Sequence, residues 1–131
     1  MTTSAQPASP QATRVRVPDG LTVLHADEAL LVFDKPAGLL AVPGRGPDKQ
    51  DCLSARAQAE YPDALVVHRL DMATSGIVVM ARGIEAQRHL SQCFEKRRTH
   101  KRYEAVVAGD LPNPLPDNGW NSIDLPLIVD W

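Results

Sequence analysis

Residues 66 to 81 constrain the fold more than any other stretch of this chain. Val66 and Val67 lead into His68-Arg69-Leu70-Asp71, the small residues Thr74, Ser75 and Gly76 follow, and Ile77-Val78-Val79-Met80-Ala81 is a second apolar run. Two β-prone runs separated by turn-forming residues read as strand, tight polar connection, strand. The pattern places an arginine and a carboxylate at the junction of two rigid elements, where a reactive side chain can be exposed and still held in position. Such residues also serve as plain ion pairs at strand ends, so Arg69 and Asp71 carry both a catalytic and a structural reading at this point.

The surrounding sequence supplies the rest of an α+β domain. Residues 21–24 and 30–33 are short apolar runs separated by Asp27-Glu28, readable as a hairpin. Pro36, Gly38, Pro43, Gly44, Gly46 and Pro47 mark a long irregular connection. A helix is predicted from Asp51, as cap, to Tyr61, with Leu53, Ala57 and Tyr61 four residues apart and Pro62 ending it. A second helix is predicted over residues 84–96, with Ala86, Leu90, Cys93 and Phe94 on one face. Residues 102–107 alternate as a strand, and the proline-rich residues 111–119 read as a loop. Short strand-to-strand links imply a mixed, mostly antiparallel sheet with flanking helices.

Composition narrows the setting without naming a function. A chain of 131 residues with 44% hydrophobic content suits one domain, and no apolar run reaches membrane-spanning length. Residues 1–20 are expected to be a disordered leader, because the first thirteen are rich in Ser, Thr, Ala, Gln and Pro without a secretion signal's apolar core; residues 21–131 form the domain. Cys52 and Cys93 lack metal or redox spacing and read as buried free thiols, which suits a cytoplasmic protein. His25, His68, His89 and His100 share no ligand-like spacing, so no metal site is expected.

The net charge of −2 gives no global attraction to a polyanion, but the charge is unevenly spread. Between residues 82 and 102 lie Arg82, Arg88, Lys96, Arg97, Arg98, Lys101 and Arg102 against only Glu85 and Glu95, a local +5 that leaves −7 for the remainder. Clustering on that scale suits phosphate contact, which acts within a Debye length of ~8 Å. Arg82 and Arg88 fit a solvated helix face equally well. The turn from Lys96 to Arg102 reads as a phosphate-contacting surface.

Four stretches, in order, resemble the RluA family of pseudouridine synthases. His68-Arg69-Leu70-Asp71 followed by Thr74-Ser75-Gly76 is similar to the family's H-R-L-D and T-S-G signature. Asp34-Lys35-Pro36-Ala37-Gly38-Leu39 resembles its K-P-x-G-L element, and the run from Lys101-Arg102-Tyr103 to Gly109 resembles its K-x-Y-x-A-x-V-x-G strand. Residues 124–131 are similar to a segment of the RluA branch. Together the likeness covers roughly residues 21 to 131, and four motifs in register carry far more weight than one.

The resemblance implies a pseudouridine synthase fold and an isomerase, an RNA-modifying enzyme that needs no cofactor. It implies Asp71 as the essential aspartate, acting on the ribose as nucleophile or as base, with its charge protected by a basic partner or backbone donors. The target uridine must leave its stack, and the resemblance sends Arg69 into the vacated space. Tyr103 would stack on the uracil, although a core tyrosine is the plainer reading of that residue alone. Lys96, Arg97, Arg98, Lys101 and Arg102 would meet phosphates. His68 is expected to be hydrogen-bonded structure with RNA contact, and Lys35, Thr74, Ser75 and Gly76 to shape the pocket. The implied partners are ribosomal RNA, a tRNA anticodon stem-loop, or both, with no membrane and no metal.

The likeness also implies something further on. Family members carry a later element resembling T-G-R-x-H-Q-L-R, whose half supplies the basic partner of the aspartate, and this sequence ends at Trp131 without it. The chain is therefore expected to be incomplete at its C-terminus, with exposed sheet edges, and inactive alone. Two other classes fit the residues: a non-catalytic RNA-binding module built on the basic turn, and a small protein in which Asp71 and Arg69 form a structural ion pair.

Overall fold

The computed structural model describes residues 15–16, 20–110 and 119–126. Its centre is built by alternation. In β2 (Thr22–Ala26), β3 (Leu30–Lys35) and β5 (Gly76–Arg82), every second residue turns inward, so Val23, Leu31, Phe33, Val78 and Met80 are buried from a single face. β1 (Val15–Arg16) and β4 (Ala64–Val66) complete a sheet of order β1-β2-β3-β5-β4, and every strand pairing is antiparallel. The longest register runs from Leu30↔Ala81 to Lys35↔Gly76, placing the last residue of β3 beside the first of β5.

Two helices flank the sheet. α1 (Leu53–Glu60) adds Leu53 and Ala57 to the core, which Leu21, Leu39, Ala64 and Leu70 complete. Burying each of the larger apolar side chains contributes about 1.5–3 kcal/mol relative to exposure. α2 (Gly83–Glu95) turns Ala86, Leu90, Cys93 and Phe94 toward the protein, but only to half-burial. It ends in a Schellman turn: Arg98 N–H donates to Cys93 O at 2.8 Å and Arg97 N–H to Phe94 O at 3.1 Å. The residue in the left-handed position there, φ 52°, is Arg97 instead of the usual glycine.

Several expectations change. Val15–Arg16 falls within the segment expected to be a disordered leader yet pairs with β2; residues 1–14 and 17–19 lie outside the described residues. Asp51 does not cap α1. Its carboxylate is held by Arg56 at 2.7 Å through both oxygens, which keeps it below the usual carboxylate range, and the N-cap position belongs to Cys52. The link from β4 to β5 is a nine-residue loop, not a tight turn. Cys52 is buried as expected, but Cys93 is only half-buried; both are free thiols.

Residues 101–131 group as a second unit, separate from residues 1–100. The strand predicted over residues 102–107 is not formed: residues 101–107 have no regular structure and all are exposed. Alternation makes a strand only where a neighbouring strand supplies hydrogen bonds, and no described strand pairs with this segment. Residues 119–126 are likewise exposed and irregular, while 111–118 and 127–131 lie outside the described residues.

Candidate active site

β4 parts from β5 after the pair Val66↔Met80, and the chain then runs through a loop at residues 67–75. Along this loop alternate residues are fixed. His68 Nε2 accepts the N–H of Val79 at 3.0 Å, and its ring stacks on Phe94 with centroids 4.4 Å apart and planes inclined by 17°. Leu70 is buried in the core. The carbonyl of Met72 accepts the N–H of Gly38 at 2.8 Å and Lys35 Nζ at 3.1 Å. Between these anchors, Arg69 and Asp71 are exposed.

The anchor beneath Met72 is the least expected part. Lys35 is completely buried. The alternation of β3 places it in the row of Leu31 and Phe33, and its ammonium donates to Pro36 O at 2.9 Å, Leu39 O at 2.7 Å and Met72 O at 3.1 Å. One cation thus ties residues 36–39 to the loop that carries Asp71. Burial pushes the Lys35 ammonium down from its ordinary value; the three carbonyls oppose that shift by stabilising its charged form. Gly38 sits at φ +90°, a conformation open to glycine, which turns its N–H to Met72 O.

Asp71, Leu70, Arg69 and Met72 line one side of a cavity of about 220 Å³, and Leu40, Ala41 and Val42 line the other. The volume falls below the ~300–1,000 Å³ of drug-sized ligand sites, and residues 40–42 give it an apolar wall. The wall is held by a parallel bridge between Leu40 and Cys52, with Leu53 N–H donating to Leu40 O at 2.8 Å and Ser54 N–H to Ala41 O at 3.1 Å. Sequence reasoning missed residues 40–42 because prolines and glycines surround them. The signal was there, as an apolar run inside an otherwise polar connection.

Among the described residues, Asp71 and Arg69 do not pair with each other, and no donor reaches the Asp71 carboxylate. The structural ion-pair reading therefore has no counterpart in the geometry. The basic partner or backbone donors expected to protect the Asp71 charge are also absent from the described residues. Thr74 N–H donates to Asp71 O at 3.0 Å and closes the turn. Ser75 is exposed, and Gly76, at φ +125°, opens β5 opposite Lys35.

Of the basic residues, Arg82 is occupied by the fold. It grips Asp63 at 2.9 and 3.3 Å, donates to Asp27 O at 3.0 Å, and lies 5.5 Å from the centre of the Tyr61 ring. The bond to Asp63 raises Arg82 and holds Asp63 below the usual carboxylate range. Lys96, Arg97 and Arg98 are exposed at the end of α2. Lys101, Arg102 and Tyr103 belong to the second unit, where Tyr103 is 60% exposed instead of forming core.

A sequence profile of the RNA pseudouridylate synthase family matches residues 29–125. The chain belongs to that family. It is 47% identical over 111 residues to the dual-specificity RNA pseudouridine synthase RluA of Escherichia coli O6:H1, covering 85% of this chain and 48% of that protein. The same-named protein of Yersinia pestis is 47% identical, with 85% and 52% covered. Human RNA pseudouridylate synthase domain containing 4 is a solved structure with similarity at TM-score 0.46 and 28% identity, over 58% of this chain and 30% of that one. The chain thus spans about half the length of the curated relatives it matches. No helix among its described residues is long and apolar enough to cross a membrane.

Proposed function

We propose that this chain carries the aspartate-bearing part of an RNA pseudouridine synthase, an isomerase acting on specific uridines of ribosomal RNA, tRNA or both in the cytoplasm. The observation that supports it most is the exposed Asp71 carboxylate, free of internal partners among the described residues, on a loop whose backbone is fixed on either side of it.

The isomerisation breaks the N1–C1′ bond of uridine, turns the uracil and joins C5 to the same C1′. The N1 atom gains a proton, C5 loses one, and no cofactor is needed. An ionised Asp71 serves by attacking C1′ or by taking a proton from the sugar, and charge develops near C1′ as in glycoside hydrolysis. Flipping leaves a gap in the RNA stack that the planar guanidinium of Arg69, two residues from Asp71, is suited to fill. Tyr103 stacks on the displaced uracil. Lys96, Arg97, Arg98, Lys101 and Arg102 track phosphates, His68 lies against the RNA, and Lys35, Thr74, Ser75 and Gly76 shape the pocket.

The test uses the full-length protein and transcribed ribosomal RNA and anticodon stem-loops. Asp71→Asn should lower pseudouridine formation by at least about a thousandfold, equivalent to ~4 kcal/mol of barrier, while RNA binding and melting temperature hold. Isomerisation by that variant at the normal pace would refute the proposal. Salt-dependent RNA binding with no pseudouridine from either protein would favour a non-catalytic binding module.

A further inference from the structure

The amide of Val79 is the first in β5 beyond the last β4 pair, Val66↔Met80. Where β4 peels away, that N–H loses its strand partner, and the imidazole of His68 supplies the acceptor instead at 3.0 Å. A backbone amide only donates, so Nε2 must carry the lone pair and a neutral ring must carry its proton on Nδ1. The same ring lies on Phe94, whose carbonyl receives Arg97 N–H in the turn that ends α2. One side chain therefore touches the strand behind Asp71 and the helix end that presents Lys96, Arg97 and Arg98.

We infer that His68 is a positioning residue of the synthase: an imidazole, unprotonated at Nε2, that ties the Arg69–Asp71 loop to β5 just where it leaves β4 and sets it against the basic end of α2. This rests on the synthase reading and adds to it. Nε2 is committed to Val79, so His68 takes no part in proton transfer through that atom. Asp71 lies three residues downstream, with Leu70 and the Met72 carbonyl as the next fixed points. Loss of the first anchor lets Arg69 and Asp71 drift together, and a displacement near 1 Å can cost roughly a hundredfold in rate.

Two measurements on the full-length protein decide it. In long-range proton–nitrogen spectra at neutral pH, the His68 ring should show an unprotonated Nε2 and a protonated Nδ1; a protonated Nε2 overturns the inference. In steady-state assays, His68→Phe keeps a flat ring for Phe94 but removes the acceptor, and kcat should fall roughly tenfold to a hundredfold with KM little changed. His68→Gln, whose amide oxygen reaches the Nε2 position, should recover most of that loss. Unchanged kcat in His68→Phe, or no recovery in His68→Gln despite a folded protein, also overturns it. Absence of pseudouridine formation by the wild-type protein would remove the synthase reading, and the ring spectrum would still decide whether His68 anchors the loop.

Discussion

The β2–β3 and β4–β5 connections each carry an exposed aspartate, and they use it in opposite ways. Between β2 and β3, Asp27 is fully engaged: Oδ1 accepts the N–H groups of Ala29 and Leu30, each at 2.8 Å, and Oδ2 meets His25 Nε2 at 2.7 Å. Between β4 and β5, the loop is fixed by other groups, and the Asp71 carboxylate meets no donor among the described residues. A turn can be held by its aspartate, or it can be held by something else so that the aspartate is left for a ligand. The second arrangement needs more machinery, here a buried lysine, a buried leucine and a histidine.

The largest expected effect strikes that machinery. Lys35→Met keeps the length and apolar stem of the side chain but leaves the Pro36, Leu39 and Met72 carbonyls without their shared donor. Met72 O retains Gly38 N–H, so the loss is concentrated on the other two. Orphaning a buried carbonyl costs about 1–3 kcal/mol, Leu39 O being buried and Pro36 O half-buried, and roughly 3 kcal/mol in all is expected from chemical denaturation, with synthase activity of the full-length protein falling as well. Asp71→Asn should show the reverse signature, with activity lost and stability kept. A Lys35→Met protein as stable as wild type would break the contrast, because the loop would then not depend on its buried cation.

Much of this frame was legible in the sequence, and the gaps have physical causes. The hairpin, both helices and the strand at residues 76–82 follow from period-2 and period-3.6 burial, which local sequence records directly. Lys35 was read only as shaping a loop, since lysine is almost never fully buried and nothing local announces three converging carbonyls. Asp51 has the right chemistry for a cap but found a nearer partner in Arg56. Residues 102–107 have the alternation of a strand, and alternation says nothing about whether a partner strand is present. The motif letters marked Asp71; that anchors and free side chains alternate through residues 68–72 became visible only with the hydrogen bonds.

A smaller effect, of opposite sign, is expected at the end of α2. Arg97 holds the left-handed position of the Schellman turn, where a residue with a Cβ is disfavoured by roughly 1–2 kcal/mol and glycine is not. Arg97→Gly should therefore stabilise the protein by about 1 kcal/mol in denaturant titrations. If the side chain serves RNA, the same variant binds RNA more weakly and with a shallower salt dependence. Greater stability with unaltered RNA binding would place Arg97 with Asp27, as a residue whose role ends at the fold.

The smallest effect tests the engaged aspartate itself. His25, with the Ala29 and Leu30 amides, lowers the Asp27 pKa from 3.8 to about 2. A carboxyl depressed by folding binds its proton more readily when unfolded, so its stabilisation is present above pH ~4 and disappears as pH falls through about 2. Asp27→Asn keeps an oxygen for the two amides but removes the charge and its attraction to His25. Its melting temperature should sit slightly below wild type above about pH 4, and the two should converge as pH approaches 2. The side chains are exposed and screened, so the gap should be small and should shrink with added salt. An Asp27→Asn protein that melts with wild type at every pH would mean that the charge of Asp27 does not hold its turn, and the distinction between the two loops would fall.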